Sequence, residues 1–288
     1  MVESKIIITV DTEVGERLKN LKNGFEKLIL GEINGKYYGV PKIIEIAEKY
    51  GYKCEFFVDV YEYKKFGENK FEELCQYISE RNHGVQLHTH PSYMYDKNRI
   101  NMYEYSLKEQ IKIIKEGKEL IKKWIDKYPI AHRAGNYGAD DNTLIALKEN
   151  GIFIDSSFFY RHPNCKIKSP TINTPILYKD VLEFPITVVK KFPKIKGILI
   201  PIRFIYVKID VNWLNSKEIV KAIKSVKGKV EYIILFLHSF SFVKRDRLYK
   251  FEIDYEAIKS FESALSFCKR EGINHILFEN LFKRLKGK

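Results

Sequence analysis

Short runs of β-branched and aromatic residues alternate with stretches of helical period along most of the chain, and this alternation constrains the fold more than any other feature. Ile6 to Val10 reads as a first strand. Pro41 to Tyr50 reads as a helix, with a proline in its first turn and Gly51 just past its end. A strand over Cys54 to Val60, a helix over Lys70 to Arg81 and a strand over Gly84 to His88 continue the rhythm. Ser106 to Asp126 reads as a long amphipathic helix in which Ser106 caps the first turn and Glu109 answers it as a capping box. Next come a short strand near Ile130 to Arg133, a helix over Asp140 to Asn150 and a strand over Ile152 to Asp155. From Tyr160 to Tyr206 the chain is proline-rich and lacks helical period, so it reads as a β-rich insertion. The rhythm resumes with a helix near Ser216 to Ser225, a strand over Tyr232 to His238, and helices near Tyr255 to Arg270 and Phe278 to Leu285. Repeated βα units predict an α/β fold with a parallel sheet, closed as a (β/α) barrel or open and doubly wound. Either architecture gathers its chemistry at the carboxyl ends of the strands.

Composition narrows the function classes. At 45% hydrophobic and 30% charged residues, the 288-residue chain is too apolar for a disordered protein and long enough to bury a core without disulfides. Apolar runs such as Tyr232 to Leu237 fall well short of the roughly 20 residues a membrane helix needs. The apolar stretch Ile6 to Val10 is also shorter than a secretory core of about 7–15 residues, so a cytoplasmic protein starting at Met1 is expected. Cys54, Cys75, Cys165 and Cys268 are scattered, which suits reduced thiols rather than a zinc knuckle. The formal charge of +13 invites a polyanionic partner, but lysines interleaved with glutamates on helix faces read as solvated surface. Nucleic acid is therefore not expected, whereas association with the inner face of a membrane fits the basic surface.

Acids and histidines mark the strand ends. Asp11 and Glu13 follow the first strand at i, i+2, a spacing that puts both carboxylates on one side of an extended backbone. His88 and His90 follow the third strand with the same spacing, so both imidazoles can reach one point. Two imidazoles beside two acids offer the N and O ligands, with an open position, of a hydrolytic metal centre. His132-Arg133-Ala134-Gly135-Asn136-Tyr137-Gly138 runs from a strand end into a glycine-containing loop that can bring N–H groups close to a ligand. Asp155-Ser156-Ser157 and Leu237-His238-Ser239 close two further strands.

The order of these segments resembles the polysaccharide deacetylase family, the NodB-homology proteins of carbohydrate esterase family 4. It is most similar to the surface-polysaccharide branch in which they read D-T-E, V-Q-L-H-x-H-P, R-A-G-x-x-G, D-S-S and a late histidine. The resemblance spans Asp11 to His238. It implies a single catalytic domain over residues 1–288, built as a distorted (β/α) barrel of about seven parallel strands with the insertion near 160–206. It implies a metal-dependent hydrolase that removes an N- or O-acetyl group from a sugar or polysaccharide precursor. Asp11 would be the general base, oriented by Arg133, and His238 the general acid. Glu13, His88 and His90 would hold one divalent metal, zinc first. Backbone N–H groups near Asn136 and Tyr137 would receive the oxyanion, and Asp155 would support the Arg133 or His238 network. His83 reads as structural. Two departures stand out: the commonest family pattern has adjacent acids and histidines at i, i+4, where this chain has Thr12 and Ser92. Two other readings stay open, a different H-x-H amidohydrolase and a catalytically inactive carbohydrate-binding homologue. The sugar and the oligomeric state are not legible, although the aromatic neighbours of Glu183 in the insertion mark where a substrate would touch.

Overall fold

The structure is a computed structural model describing residues 2–286 apart from 170, 193, 196, 197, 200–203 and 247–249. Eight strands form one sheet: β1 (Lys5–Thr12), β2 (Cys54–Asp59), β3 (Gly84–Thr89), β4 (Ala131–Ala134), β5 (Ile154–Asp155), β6 (Ile176–Tyr178), β7 (Val181–Glu183) and β8 (Tyr232–His238). Their spatial order is β8-β1-β2-β3-β4-β5-β7-β6, with every pairing parallel except β6 against β7. Seven parallel strands therefore curl around a common interior, and an antiparallel strand finishes one edge. Around them lie α1 (Val40–Tyr50), α2 (Glu68–Glu80), α3 (Leu107–Ile125), α4 (Asp141–Glu149), α5 (Ser216–Val226), α6 (Tyr255–Arg270) and α7 (Phe278–Lys286).

Because both faces of a curled parallel sheet are covered, its strands are apolar almost throughout. Ile6, Ile8, Val10, Phe56 and Val58 pack outward beneath the helices, while Ile7, Phe57, Ile154, Phe184, Ile234 and Phe236 fill the barrel interior. Phe278, at the start of α7, plugs the lower end of that interior and donates its backbone N–H to the buried carboxylate of Glu55. Alternation along each strand thus assigns Asp11, His88, Arg133, Ser156 and His238 to the interior side, above the apolar layers.

The barrel is distorted because it closes without a regular ladder. The free edge of β8 is met by an irregular stretch: Phe236 donates to the carbonyl of Ile209, Ile209 to that of Thr187, and the Thr187 hydroxyl accepts from Ile234. The β-rich stretch expected over 160–206 carries added hairpins and also supplies one strand of the main sheet. Val181–Glu183 is a strand of the main sheet, while Val188–Lys191 with Ile205–Lys208, and Lys194–Ile195 with Ile198–Leu199, form added antiparallel pairs. Three-residue strands carry too little alternation to be recognised, which is why the sequence pattern hid this one. Residues 170, 193, 196, 197 and 200–203 of that stretch lie outside the described residues.

Local signals set the helix ends. Gly51 ends α1 in the left-handed region at φ 84°, a conformation glycine adopts without steric cost. Ser106 accepts from the Glu109 backbone N–H, and the Glu109 carboxylate accepts from the Ser106 N–H at 2.8 Å, completing the predicted capping box. Ser106→Ala should lower the unfolding free energy by about 1 kcal/mol, read from the urea midpoint at unchanged m-value.

Candidate functional site

The upper mouth of the barrel collects the acids and histidines singled out above. Asp11 and His238 lie side by side in register on β1 and β8. Glu13 follows β1 and is clamped from two directions. Its backbone N–H donates to the Ser239 hydroxyl and its carbonyl accepts from it, while the next two N–H groups, of Val14 and Gly15, donate to the buried Glu62 carboxylate. Its own carboxylate is thereby held between two imidazoles, with Oε2 at 3.2 Å from His88 Nε2 and 2.5 Å from His90 Nε2. The ligand atoms of Glu13, His88 and His90 all lie within 4.8 Å of one another.

This cluster has the chemistry of a cation site. His88 Nδ1 lies 2.8 Å from the carbonyl of Arg133, a contact that spends the ring proton there and turns the Nε2 lone pair toward Glu13. Both ring nitrogens of His90 are buried and have no hydrogen-bond partner among the described residues, so the approach of Nε2 to Glu13 is a charge contact without hydrogen-bond alignment. Burial opposes ionisation of Glu13, yet the neighbouring His90 and His88 hold its carboxyl well below the usual range. Burial likewise opposes charge on His90, but Glu13 and Asp59 push its pKa up to about 10. A carboxylate and two imidazoles that need positive charge between them fit a divalent cation.

Arg133 is fully buried and organises the other half of the site. Its Nη1 donates to Asp11 Oδ1 at 2.6 Å, its Nε to the Ser156 carbonyl and its Nη2 to the Ser156 hydroxyl, both at 2.9 Å. The guanidinium is 4.3 Å from the Phe57 ring centre and 5.0 Å from that of Phe236. Asp11 Oδ2 accepts no further hydrogen bond among the described residues. His238 stacks on Phe240, with Nε2 4.0 Å from Glu13 Oε1. Burial and the nearby Lys208 lower its pKa, against the pull of Glu13 and Asp11.

Beyond Arg133 the loop turns sharply. Asn136 and Tyr137 both adopt positive φ, 52° and 57°, which points successive backbone N–H groups to one side. Tyr137 is pinned there by Lys208, whose Nζ donates to the phenol oxygen at 3.0 Å. Gly135 lies so close to His90 that a Cβ would collide with the imidazole ring.

Asp155 stands elsewhere. Its carboxylate pairs with His132 Nδ1 at 2.7 Å and accepts from Ser157, on the helix side of the sheet, so its expected link to Arg133 or His238 is not made. The reason is strand alternation: Asp155 is in register with His132, whereas Ser156, one residue on, faces the interior and holds Arg133. Thr12 likewise turns away from the interior, which explains why the acid at i+2 serves in place of an adjacent one. His83 is structural as expected. Its Nδ1 accepts from the Cys54 N–H at 3.0 Å, and burial lowers its pKa to about 4. Three residues escaped the sequence reading: Asp59, pushed up to about 7 by burial against the help of His90 and His88; Glu62; and Lys208. Asp59 and Glu62 had a signal, acids at and just past the end of an apolar strand. Lys208 had none.

Comparison with solved structures decides the architecture. A protein classed as a polysaccharide deacetylase from Mycobacterium smegmatis superposes with a TM-score of 0.63 at 12% identity, over 99% of this chain and 91% of that one. The fold is that of the carbohydrate esterase family 4 deacetylases. A family 4 carbohydrate esterase from Streptomyces lividans, solved in complex with acetate, gives 0.52 at 8% identity over 96% and 94% of the two chains. A family 4 pseudoenzyme from Bacillus anthracis gives 0.51 at 12% identity over 95% and 63%. No protein-family profile and no curated protein matches the sequence. The family 4 resemblance read from the order of motifs and the family 4 fold therefore agree, and the likeness is one of fold. No helix among the described residues is long and apolar enough to cross a membrane.

Gly135→Ala tests the fit of loop to ligand. Displacing His90 should weaken zinc binding by about 10–100-fold, measured by competition with a chromogenic chelator.

Proposed function

We propose that residues 1–288 form one catalytic domain, a metal-dependent deacylase that removes an acetyl group from an amino or hydroxyl group of a sugar. The observation that carries this reading is the convergence of Glu13, His88 and His90 within 4.8 Å, beside an Asp11 oriented by Arg133 and a His238 in register with it. Two imidazoles and one carboxylate suit zinc. The chemistry such an ion supplies when bound is a water made acidic near neutral pH and a polarised acyl carbonyl.

The chain's own groups supply the rest. Asp11 Oδ2 takes a proton from the attacking water, while Arg133 on Oδ1 fixes the carboxylate's orientation and balances its charge. The N–H groups of Asn136 and Tyr137 face the developing oxyanion, an interaction worth roughly 2.7–4 kcal/mol per donor in comparable sites. His238 hands a proton to the departing nitrogen or oxygen as the C–N or C–O bond breaks. The products are acetate and the freed amine or alcohol. The alternative H-x-H amidohydrolases carry that motif after the first barrel strand, whereas here it follows β3 and the acids follow β1.

Asp11→Asn and His238→Ala should each cut acetate release by about 10²–10⁴-fold, with the melting temperature preserved in His238→Ala. Asp11→Ala should in addition lose about 3–5 kcal/mol of stability, because it strands the buried Arg133 without a counter-charge. Dialysis against a chelator should abolish activity and zinc should restore it. A protein that binds zinc yet releases no acetate from any acetylated sugar would instead be an inactive homologue.

A further inference from the structure

Beside the reaction mouth lies a second cleft of about 410 Å³, lined by Phe159, Tyr160, Arg161, His162, Pro163, Phe204, Ile205, Tyr206 and Trp213. Edge-on and tilted ring contacts link its wall to the site: His238 touches Phe236, Phe236 touches Tyr137, and Tyr137 touches both Phe159 and His162. Phe159 and His162 stack on one another within the cleft, whereas Tyr160 and Tyr206 meet edge to face. Trp213 is 49% exposed, far more than a tryptophan held for packing alone. There is no acid among the lining residues. Arg161 is the cation of the cleft, with its guanidinium 5.2 Å from the Tyr160 ring and 5.4 Å from that of Tyr206. It pairs with no carboxylate among the described residues, unlike Arg81 and Arg99, which do. Lys190, likewise without a carboxylate, sits 4.4 Å over Phe204, the ring that leans on Tyr206.

We propose that this cleft binds a sugar phosphate, the glycosyl ring against Trp213 and Tyr160 and the phosphate on Arg161. The inference rests on the deacylase reading and adds the substrate class to it. A flat ring with apolar C–H faces matches exposed aromatic side chains, and a few well-placed polar groups in such a cleft set specificity. A guanidinium already resting against a pair of tyrosines loses little freedom on binding, and its planar fork matches two phosphate oxygens. Two cations without counter-charges, flanking the same Tyr206–Phe204 pair, match the charge of a phosphate better than that of a neutral glycan. The same chemistry is offered by a soluble nucleotide sugar and by a lipid-linked glycosyl diphosphate.

Calorimetric titration with N-acetylglucosamine 1-phosphate tests the cleft apart from catalysis. The zinc-loaded wild type should bind it at least about tenfold more tightly than N-acetylglucosamine, and Arg161→Ala should bring the ratio close to one. Trp213→Ala should weaken both ligands. Lys221→Ala, which removes a charge from α5, should leave the ratio unchanged and so exclude a general charge effect. Equal affinities in the wild type, or a ratio indifferent to Arg161, overturn the proposal. Phosphate-dependent binding without acetate release upholds the cleft and removes the deacylase reading instead. Tighter binding of UDP-N-acetylglucosamine than of vesicle-borne polyprenyl diphosphate N-acetylglucosamine would assign the soluble source, and the reverse order the lipid-linked one.

Discussion

A guanidinium sealed inside a barrel must be compensated on every side, and the compensation of Arg133 holds the site together. Its charge is met by Asp11 of β1, its remaining donors by Ser156 after β5, and its faces by Phe57 of β2 and Phe236 of β8. One side chain thus ties four strands at the level where the chemistry sits, while its backbone carbonyl fixes the ring of His88. An unpaired buried charge costs several kcal/mol, so any displacement of β1 relative to β4 is penalised at once. The site is rigid because its central cation cannot be left alone.

Electrostatic strain of the opposite sign sits a few ångströms away. Glu13, Asp59 and Glu62 are three buried acids near one mouth, offset by His88 and His90 beside Glu13 and by backbone N–H groups at Asp59 and Glu62. Burial with mutual repulsion raises Glu62 well above its ordinary pKa, while the imidazoles keep Glu13 low. Neighbouring acids in one mouth thus differ in their environments, the imidazoles lowering one carboxyl and burial raising the other two.

The upper mouth and the aromatic cleft also differ in what they demand. The first needs fixed distances, supplied by regular strands. The second needs breadth and exposed faces, supplied by the loop after β5 and the hairpin between β7 and β8. Lys208 joins the two, since it braces Tyr137 of the loop after β4 from a strand of that hairpin.

Much of this was legible in the chain because it depends on short-range regularities. Period-2 and period-3.6 patterns marked Lys5–Thr12, Gly84–Thr89 and Leu107–Ile125, and the i, i+2 spacing of Asp11 with Glu13 and His88 with His90 follows from extended backbone alone. The order of motifs carried the family 4 resemblance. What the sequence could not decide was which strand end faces which. Asp155 and Ser156 are neighbours in the chain, yet one pairs with His132 and the other with Arg133, and a shift of register by one residue would exchange them. Val181–Glu183 could not be told from an insertion, because three residues hold too little pattern and its place in the sheet depends on a partner, β5, fixed only on folding. The role of Lys208 rests on contacts with Tyr137, 71 residues away, and with the Phe236 ring, and long-range packing of that kind leaves no local trace.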